Sequence, residues 1–327
     1  MLDRRVVTFG DKLCHNMEGD KLQSTLPHYA YLRIADGCSN KCSYCAIPLI
    51  RGKMRSRKME NIIEEAKKFA ENGVKELVIV AQDVTAYGID LYKKYALPDL
   101  LKQLCKIDGI KWIRLLYCYP ERMTDELIET IKTEDKVLNY IDIPIQHCNK
   151  EILRNMYRGG DEQSLRELFA KLRREIPGVV LRTTLITGFP GETEEQFSEL
   201  AEFVNDIKFE RLGCFAYSAE EDTPAAEMPD QVDEGERQRR ADIITSEQEI
   251  RMGEYYAGMV GNTYEVVCEG FDRYSDMYFG RSMHFAPEID GMIYFTSAKD
   301  KSSLTIGDFV NVKITDVLEN NLLGERV

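Results

Sequence analysis

The sequence predicts an α/β fold, an open or partial (β/α)6 barrel of the TIM type followed by a small all-β domain, and three observations carry that prediction. Six short apolar runs alternate with helical patterns between residues 31 and 217. The runs are apolar almost throughout instead of alternating, which marks parallel strands buried on both faces. Beyond Gly258 the character changes to short alternating strands parted by Gly270, Gly280, Gly291 and Gly307, the mark of a small all-β domain.

Residues 1–27, interrupted by Gly10, Gly19 and Pro27, read as a linker or irregular lead-in. YLRIAD at 31–36 is the first strand. After a loop, a helix over 57–72 places Ile62, Ile63, Ala66, Phe69 and Ala70 on one face and stops at Gly73. The strand recurs as LVIVA at 77–81, WIRLLY at 112–117, YIDIPI at 140–145, VVLRTTLIT at 179–187 and LGCFAY at 212–217. Helices are expected between them over 97–106, 124–132, 150–157, 164–175 and 193–207. Six such units are two short of an eightfold barrel, so the chemistry is expected at the C-terminal strand ends of an open one. The charged stretch 230–256 reads as a long helix leaving the barrel, and YEVVCEGF, MIYFTS and FVNVKITDVL supply strands of the second domain. The expected division is a lead-in at 1–27, the barrel with its C-terminal helix at 28–257, and the β domain at 258–327.

Composition narrows the function classes. With 327 residues, 43% hydrophobic and 30% charged, the chain is ordinary globular protein, which excludes collagen-like, mucin-like and wholly disordered readings. A net charge of −13 disfavours a general nucleic-acid binder working by phosphate neutralisation. No stretch approaches the roughly 18 apolar residues of a membrane helix, and the N-terminus lacks a signal-peptide core, so a cytoplasmic protein without a membrane partner is expected. Nine cysteines, an odd number in a chain too large to need disulfide staples, point to thiols, metal ligands or redox work.

Cys38, Cys42 and Cys45 stand in DGCSNKCSYCAIPLIRG, directly after the first strand, at C-x3-C-x2-C spacing. Three thiolates on one loop can wrap one face of an iron–sulfur cluster and leave one iron open. A zinc knuckle completed by His15, His28 or a remote cysteine, and plain loop thiols, are the competing readings.

This spacing, with Tyr44 before the third cysteine, resembles the radical S-adenosylmethionine (SAM) superfamily. The resemblance implies one 4Fe-4S cluster held by Cys38, Cys42 and Cys45. Its open iron chelates SAM, and the reduced cluster passes one electron to the sulfonium to release a 5′-deoxyadenosyl radical. Further runs, CSYCAIPLIRGKMRSR, VAQDVTAYGIDL, YCYPERMTDELI, IDIPIQHCNKEILRNMYRGG, TTLITGFPGETEEQF and LGCFAYSAEEDTPAA, are similar to the methylthiotransferases of that superfamily. Ala81-Gln82-Asp83, Gln146-His147 and APEIDG at 286–291 resemble the branch that modifies an aspartate of a small-subunit ribosomal protein, number twelve. The branch that modifies adenosine in tRNA is the alternative, and a zinc-stabilised protein-binding module a third reading. The β domain resembles a TRAM domain, and from Gly258 it carries 11 acidic against 6 basic residues, which suits a lysine- and arginine-rich ribosomal protein better than a phosphate backbone.

The family resemblance also implies an N-terminal domain whose three cysteines hold a second, auxiliary cluster. Only Cys14 precedes Cys38, so those ligands are expected to be absent, and the chain is read as truncated: it should bind and reductively cleave SAM without a resident sulfur-carrying cluster. An electron donor is implied as a partner. Cys105, Cys118, Cys148, Cys214 and Cys268 read as small buried hydrophobes.

Tyr44, Gln82, Asp83, Gln146, His147, Arg182 and Thr184 are the expected contacts to SAM, since they lie beside the cysteines or on the strands whose ends face the mouth of such a barrel. Against these stand blander roles: loop capping for Asp83, a structural histidine for His147, barrel filling for Arg182 and Thr184. The run RGKMRSRK at 51–58 could hold a carboxylate through arginine contacts or be a solvated helix start.

Overall fold

Strand β1 (Tyr29–Arg33) leads into a two-stranded ribbon, β2 (Ala35–Asp36) with β3 (Arg55–Ser56), and the chain between those strands contains the cysteine loop and α1 (Ile47–Arg51). In this computed structural model, residues 17–19, 23–297 and 303–327 are described; the expected lead-in, Cys14 and His15 therefore lie wholly or mostly outside the described residues. Next come α2 (Met59–Glu71), β4 (Glu76–Val80), α3 (Leu97–Leu104), β5 (Trp112–Leu115), α4 (Asp125–Thr133) and β6 (Val137–Asp142). Then follow α5 (Lys150–Asn155), α6 (Glu162–Glu175), β7 (Val180–Thr187), α7 (Glu194–Ile207) and β8 (Arg211–Ala216).

The six long strands form one sheet in the order β1-β4-β5-β6-β7-β8, with every pair parallel and β1 and β8 as its edges. This is the open six-unit barrel that the apolar runs predict. Helix α2 turns Ile62 and Ala66 fully inward, with Ile63, Phe69 and Ala70 packed around them. Thr193 with Gln196, and Asp161 with Ser164, close capping boxes at the starts of α7 and α6, satisfying amide donors that a helix leaves open.

Two expected strands are shorter than their apolar runs. YIDIPI leaves the ladder after Asp142 because Pro144 has no N–H to donate; Gln146 rejoins through a single bridge to Leu185. WIRLLY ends at Leu115, and Tyr117 beyond it takes a left-handed φ of 64°.

Helix α8 (Glu234–Met259), begun by the Asp233 side chain on the Gly235 amide, connects to a closed barrel. Its strands are β9 (Thr263–Asp272), β10 (Met277–Arg281), β11 (Ile293–Thr296), β12 (Phe309–Leu318) and β13 (Asn321–Arg326), in the order β10-β11-β13-β12-β9. Strands β10 and β13 are not among the expected ones; each carries an internal glycine. In both, glycine permits close approach: a Cβ on Gly280 would lie 2.0 Å from the Val267 carbonyl oxygen, and one on Gly324 2.7 Å from that of Lys313. Gly280→Ala is therefore expected to cost the second barrel about 1–3 kcal/mol by overpacking, measurable by urea denaturation; an unchanged midpoint would refute the contact.

The small barrel sits against the N-terminal ends of the large barrel's strands. Trp112 meets Phe309 edge to face at 4.8 Å, and Tyr140 donates to Asp290 at 2.8 Å. Between them Glu76 accepts from Arg114 at 2.7 Å and from Arg281 at 2.8 Å, while Arg281 also donates to Glu269 at 2.7 Å. The opposite, C-terminal ends of the strands border a cavity among the described residues. Among the described residues no helix is long and apolar enough to cross a membrane.

Candidate active site

The cysteine loop is fixed from three sides. Gly37 turns the chain out of β2 with φ 74°, after which the Cys38 amide donates to the Gly52 carbonyl at 3.1 Å. The Met54 amide donates to Ser39 Oγ at 3.2 Å. Ser43 donates twice to the end of α5, from its amide to the Met156 carbonyl at 3.0 Å and from its hydroxyl to the Asn155 carbonyl at 2.7 Å. A Cβ on Gly37 would lie 2.4 Å from the Lys53 carbonyl oxygen, a backbone atom that cannot swing away. Gly37→Ala is expected to add about 1–3 kcal/mol of local strain at the residue before Cys38, so that iron uptake falls while the far-ultraviolet dichroism is kept; full iron content would refute this.

Cys38, Cys42 and Cys45 are free thiols and line one cavity of about 460 Å³ at the open end of the barrel. Burial pushes the Cys38 thiol up to about 11 and raises that of Cys45. Metal binding at this loop thus has to displace thiol protons. Among the described residues no three His, Cys, Asp or Glu side chains group as donors to a single metal ion.

Of the other expected residues, Tyr44, Gln82, Gln146 and Thr184 line the same cavity. Gln82 Oε1 is buried without a protein partner. Gln146 holds a left-handed φ of 71°, pinned by its amide on the Thr184 carbonyl and by the Ile186 amide on its own carbonyl, both at 2.9 Å.

Asp83, His147 and Arg182 stand outside the lining. The Asp83 carboxylate caps the turn beyond β4, accepting from Thr85 Oγ1 at 2.5 Å and the Ala86 amide at 3.1 Å, and it also takes Asn40 at 2.9 Å and Arg122. His147 is fully buried; its Nδ1 accepts from the Asn149 amide at 2.9 Å and its Nε2 lies 3.6 Å from Glu192. Glu192 in turn takes Arg240 at 2.8 Å and the Gly188 amide at 3.0 Å, so this acid secures the turn after β7. Arg182 donates to Asp142 at 2.7 Å, and the second oxygen of Asp142 accepts the Tyr117 amide at 2.9 Å. The arginines of the basic run are engaged by the framework: Arg51 and Arg55 pair with Asp36, and Arg57 with Glu18 and Glu65, while Lys53 and Lys58 are exposed.

Several lining residues have no signal in the local pattern. Arg158 and Tyr119 lie in runs that carry the family resemblance, yet spacing gives no reason to single them out; the fold brings the Arg158 guanidinium 4.2 Å above the Tyr119 ring. Asn40 is held between Asp83 and Arg122. Cys118, read from the sequence as a buried hydrophobe, is buried and also lines the cavity, which puts a fourth thiol in its wall.

Comparison with known proteins follows the same division. Residues 32–204 match the family model described as Radical SAM superfamily, and residues 260–327 match the TRAM domain. The chain is 50% identical over 307 residues to the ribosomal protein uS12 methylthiotransferase RimO of Clostridium botulinum, covering 94% of this chain and 68% of that protein. It is 49% identical over 323 residues to the protein of the same name from Caldanaerobacter subterraneus, covering 98% and 73%. Among solved structures it is similar to the radical S-adenosylmethionine methyltransferase TsrM of Kitasatospora setae, at 16% identity and a TM-score of 0.49 over 61% of this chain and 38% of that one.

Proposed function

Since the chain belongs to the radical SAM superfamily and, within it, to the ribosomal protein uS12 methylthiotransferases, we propose that it acts at the β-carbon of an aspartate of that ribosomal protein. The observation that carries this reading is the set of three free thiols in one cavity at the open mouth of the barrel, in a chain half identical to enzymes of that name. The tRNA alternative is not favoured by these relatives.

The residues present fit the cofactors that the family implies. A cavity of about 460 Å³ falls within the roughly 300–1,000 Å³ of small-molecule sites. Cys38, Cys42 and Cys45 would hold one 4Fe-4S cluster, with the remaining iron left to SAM. When bound, the cluster and SAM supply the one-electron chemistry that lets a hydrogen atom be taken from an unreactive C–H bond. The orphaned Oε1 of Gln82 offers an acceptor suited to an ammonium group, and Gln146 and Thr184 offer polar groups from adjacent strand ends. Asp83, His147 and Arg182 support this wall from behind. Tyr44, Tyr119, Pro144 and Val80 give it an apolar lining that limits water near the reacting atoms. We assign no residue of this chain to an auxiliary cluster. The acidic excess of the β domain suits docking of a basic protein, and the reading implies a low-potential electron donor and a cytoplasmic setting.

The test is isotopic. The anaerobically reconstituted chain, given SAM, dithionite and ribosomal protein uS12 deuterated at its aspartate β-carbons, is expected to form 5′-deoxyadenosine carrying deuterium. Unlabelled product with the ribosomal protein, or stimulation by tRNA in its place, would overturn the assignment.

A further inference from the structure

Helix α5 ends at Asn155, and Tyr157, with φ 57°, reverses the chain so that the next side chain returns to the cavity. That side chain is Arg158. Its Nη2 donates to the Pro144 carbonyl at 2.8 Å, and its Nη1 lies 3.5 Å from the Tyr44 hydroxyl and 3.9 Å from Cys42 Sγ. The Tyr119 ring backs the guanidinium plane. Among the described residues it forms no ion pair with a carboxylate, in contrast to Arg122 beside it, which pairs with Asp83.

Glu121 lies near enough to favour the charge of Arg158 but forms no ion pair with it, and a guanidinium fixed in a largely apolar wall without a directly paired anion is unfavourable, unless the anion arrives with the ligand. A thiolate-bound iron–sulfur cluster is such an anion, and Cys42 is one of the three thiols that would carry it. We infer that Arg158 is the fixed counter-charge of the cluster, donating to the Cys42 sulfur and holding the reduction potential up. The inference rests on the reading that these three cysteines hold one cluster. The sign follows from charge: reduction adds one electron, supplied from outside by the electron donor, and a cation at fixed distance stabilises the more negative state. Hydrogen bonds to the ligand sulfurs act in the same direction.

The experiment is a spectroelectrochemical titration of the reconstituted chain without SAM. Arg158→Met is expected to lower the reduced-to-oxidised ratio at a fixed ambient potential about tenfold, about 59 mV for a one-electron couple. Arg158→Lys, which keeps the charge but not the planar fork, is expected to stay within about threefold of the wild type. A loaded Arg158→Met whose ratio equals the wild type's overturns the inference and leaves the cluster reading intact; a wild-type chain that takes up no iron overturns both. Should Arg158→Met lose its iron, Arg158→Gln, which keeps a donor for the Pro144 carbonyl, replaces it. A ratio for Arg158→Lys above that of Arg158→Gln then supports the inference, and equal ratios overturn it.

Discussion

Glu76→Gln is expected to cost about 3–5 kcal/mol of stability, because it breaks a buried charge network by removing one partner. Glu76 is fully buried at the start of β4, and its two oxygens serve one guanidinium from each barrel, Arg114 in the large one and Arg281 in the small one. Arg281 is anchored further by Glu269, which accepts at 2.7 Å and lies 3.0 Å from His28. Without the carboxylate, the two buried cations keep, among the described residues, the carbonyls of Met283 and Phe285 and the Glu269 carboxylate on Arg281. Urea denaturation followed by tryptophan fluorescence measures the effect well, since Trp112 is the one tryptophan and lies at this junction; a loss under about 1 kcal/mol would sink the claim.

The same network fixes the acid response. Burial alone would raise the Glu76 pKa, but Arg281 and Arg114 outweigh it and hold it down to about 2, from an ordinary value of 4.5. A carboxylate depressed on folding contributes stability above its unfolded pKa and loses it as pH falls towards its folded one. The contribution of Glu76 should therefore be complete above about 4.5 and decline between there and about 2. Over that window the wild type is expected to lose more stability than Glu76→Gln; parallel losses would show that the pair does not set the acid limit.

Replacing Cys38, Cys42 and Cys45 together by alanine is expected to abolish an iron content of about four per chain, the count of a 4Fe-4S cluster, and with it dithionite-dependent 5′-deoxyadenosine. Two of the three thiols are only partly buried and the loop is held by the backbone and by Ser39 and Ser43, so the melting temperature of the metal-free protein should barely move. Cys118 gives this prediction its discriminating control. Cys118 lines the same cavity, and a cluster saturated by four cysteines would have no iron left for SAM. Cys118→Ala is expected to keep both iron and SAM cleavage. Loss of iron in that variant, or its retention in the triple one, would end the three-thiolate reading.

Features that depend on neighbours along the chain are legible in the sequence. Six apolar runs parted by helical patterns specify six parallel strands, because burial on both faces removes the alternation of a half-exposed strand; the edge strand β8, half-exposed over most of its length, departs from that rule. C-x3-C-x2-C puts Cys38, Cys42 and Cys45 on one loop by covalent reach alone. The partner of each charge emerges only once the chain is folded. Asp83 lies just beyond the end of β4 and Arg182 within β7, as the pattern implies, yet each faces a counter-ion from another element, Arg122 and Asp142 respectively. Arg158 comes to face Cys42 across 116 residues of sequence. Glu76 joins two barrels through an arginine 205 residues away. An ion pair is a matter of a few ångströms between groups whose positions are set by sheet register and loop path, and no local periodicity encodes that distance.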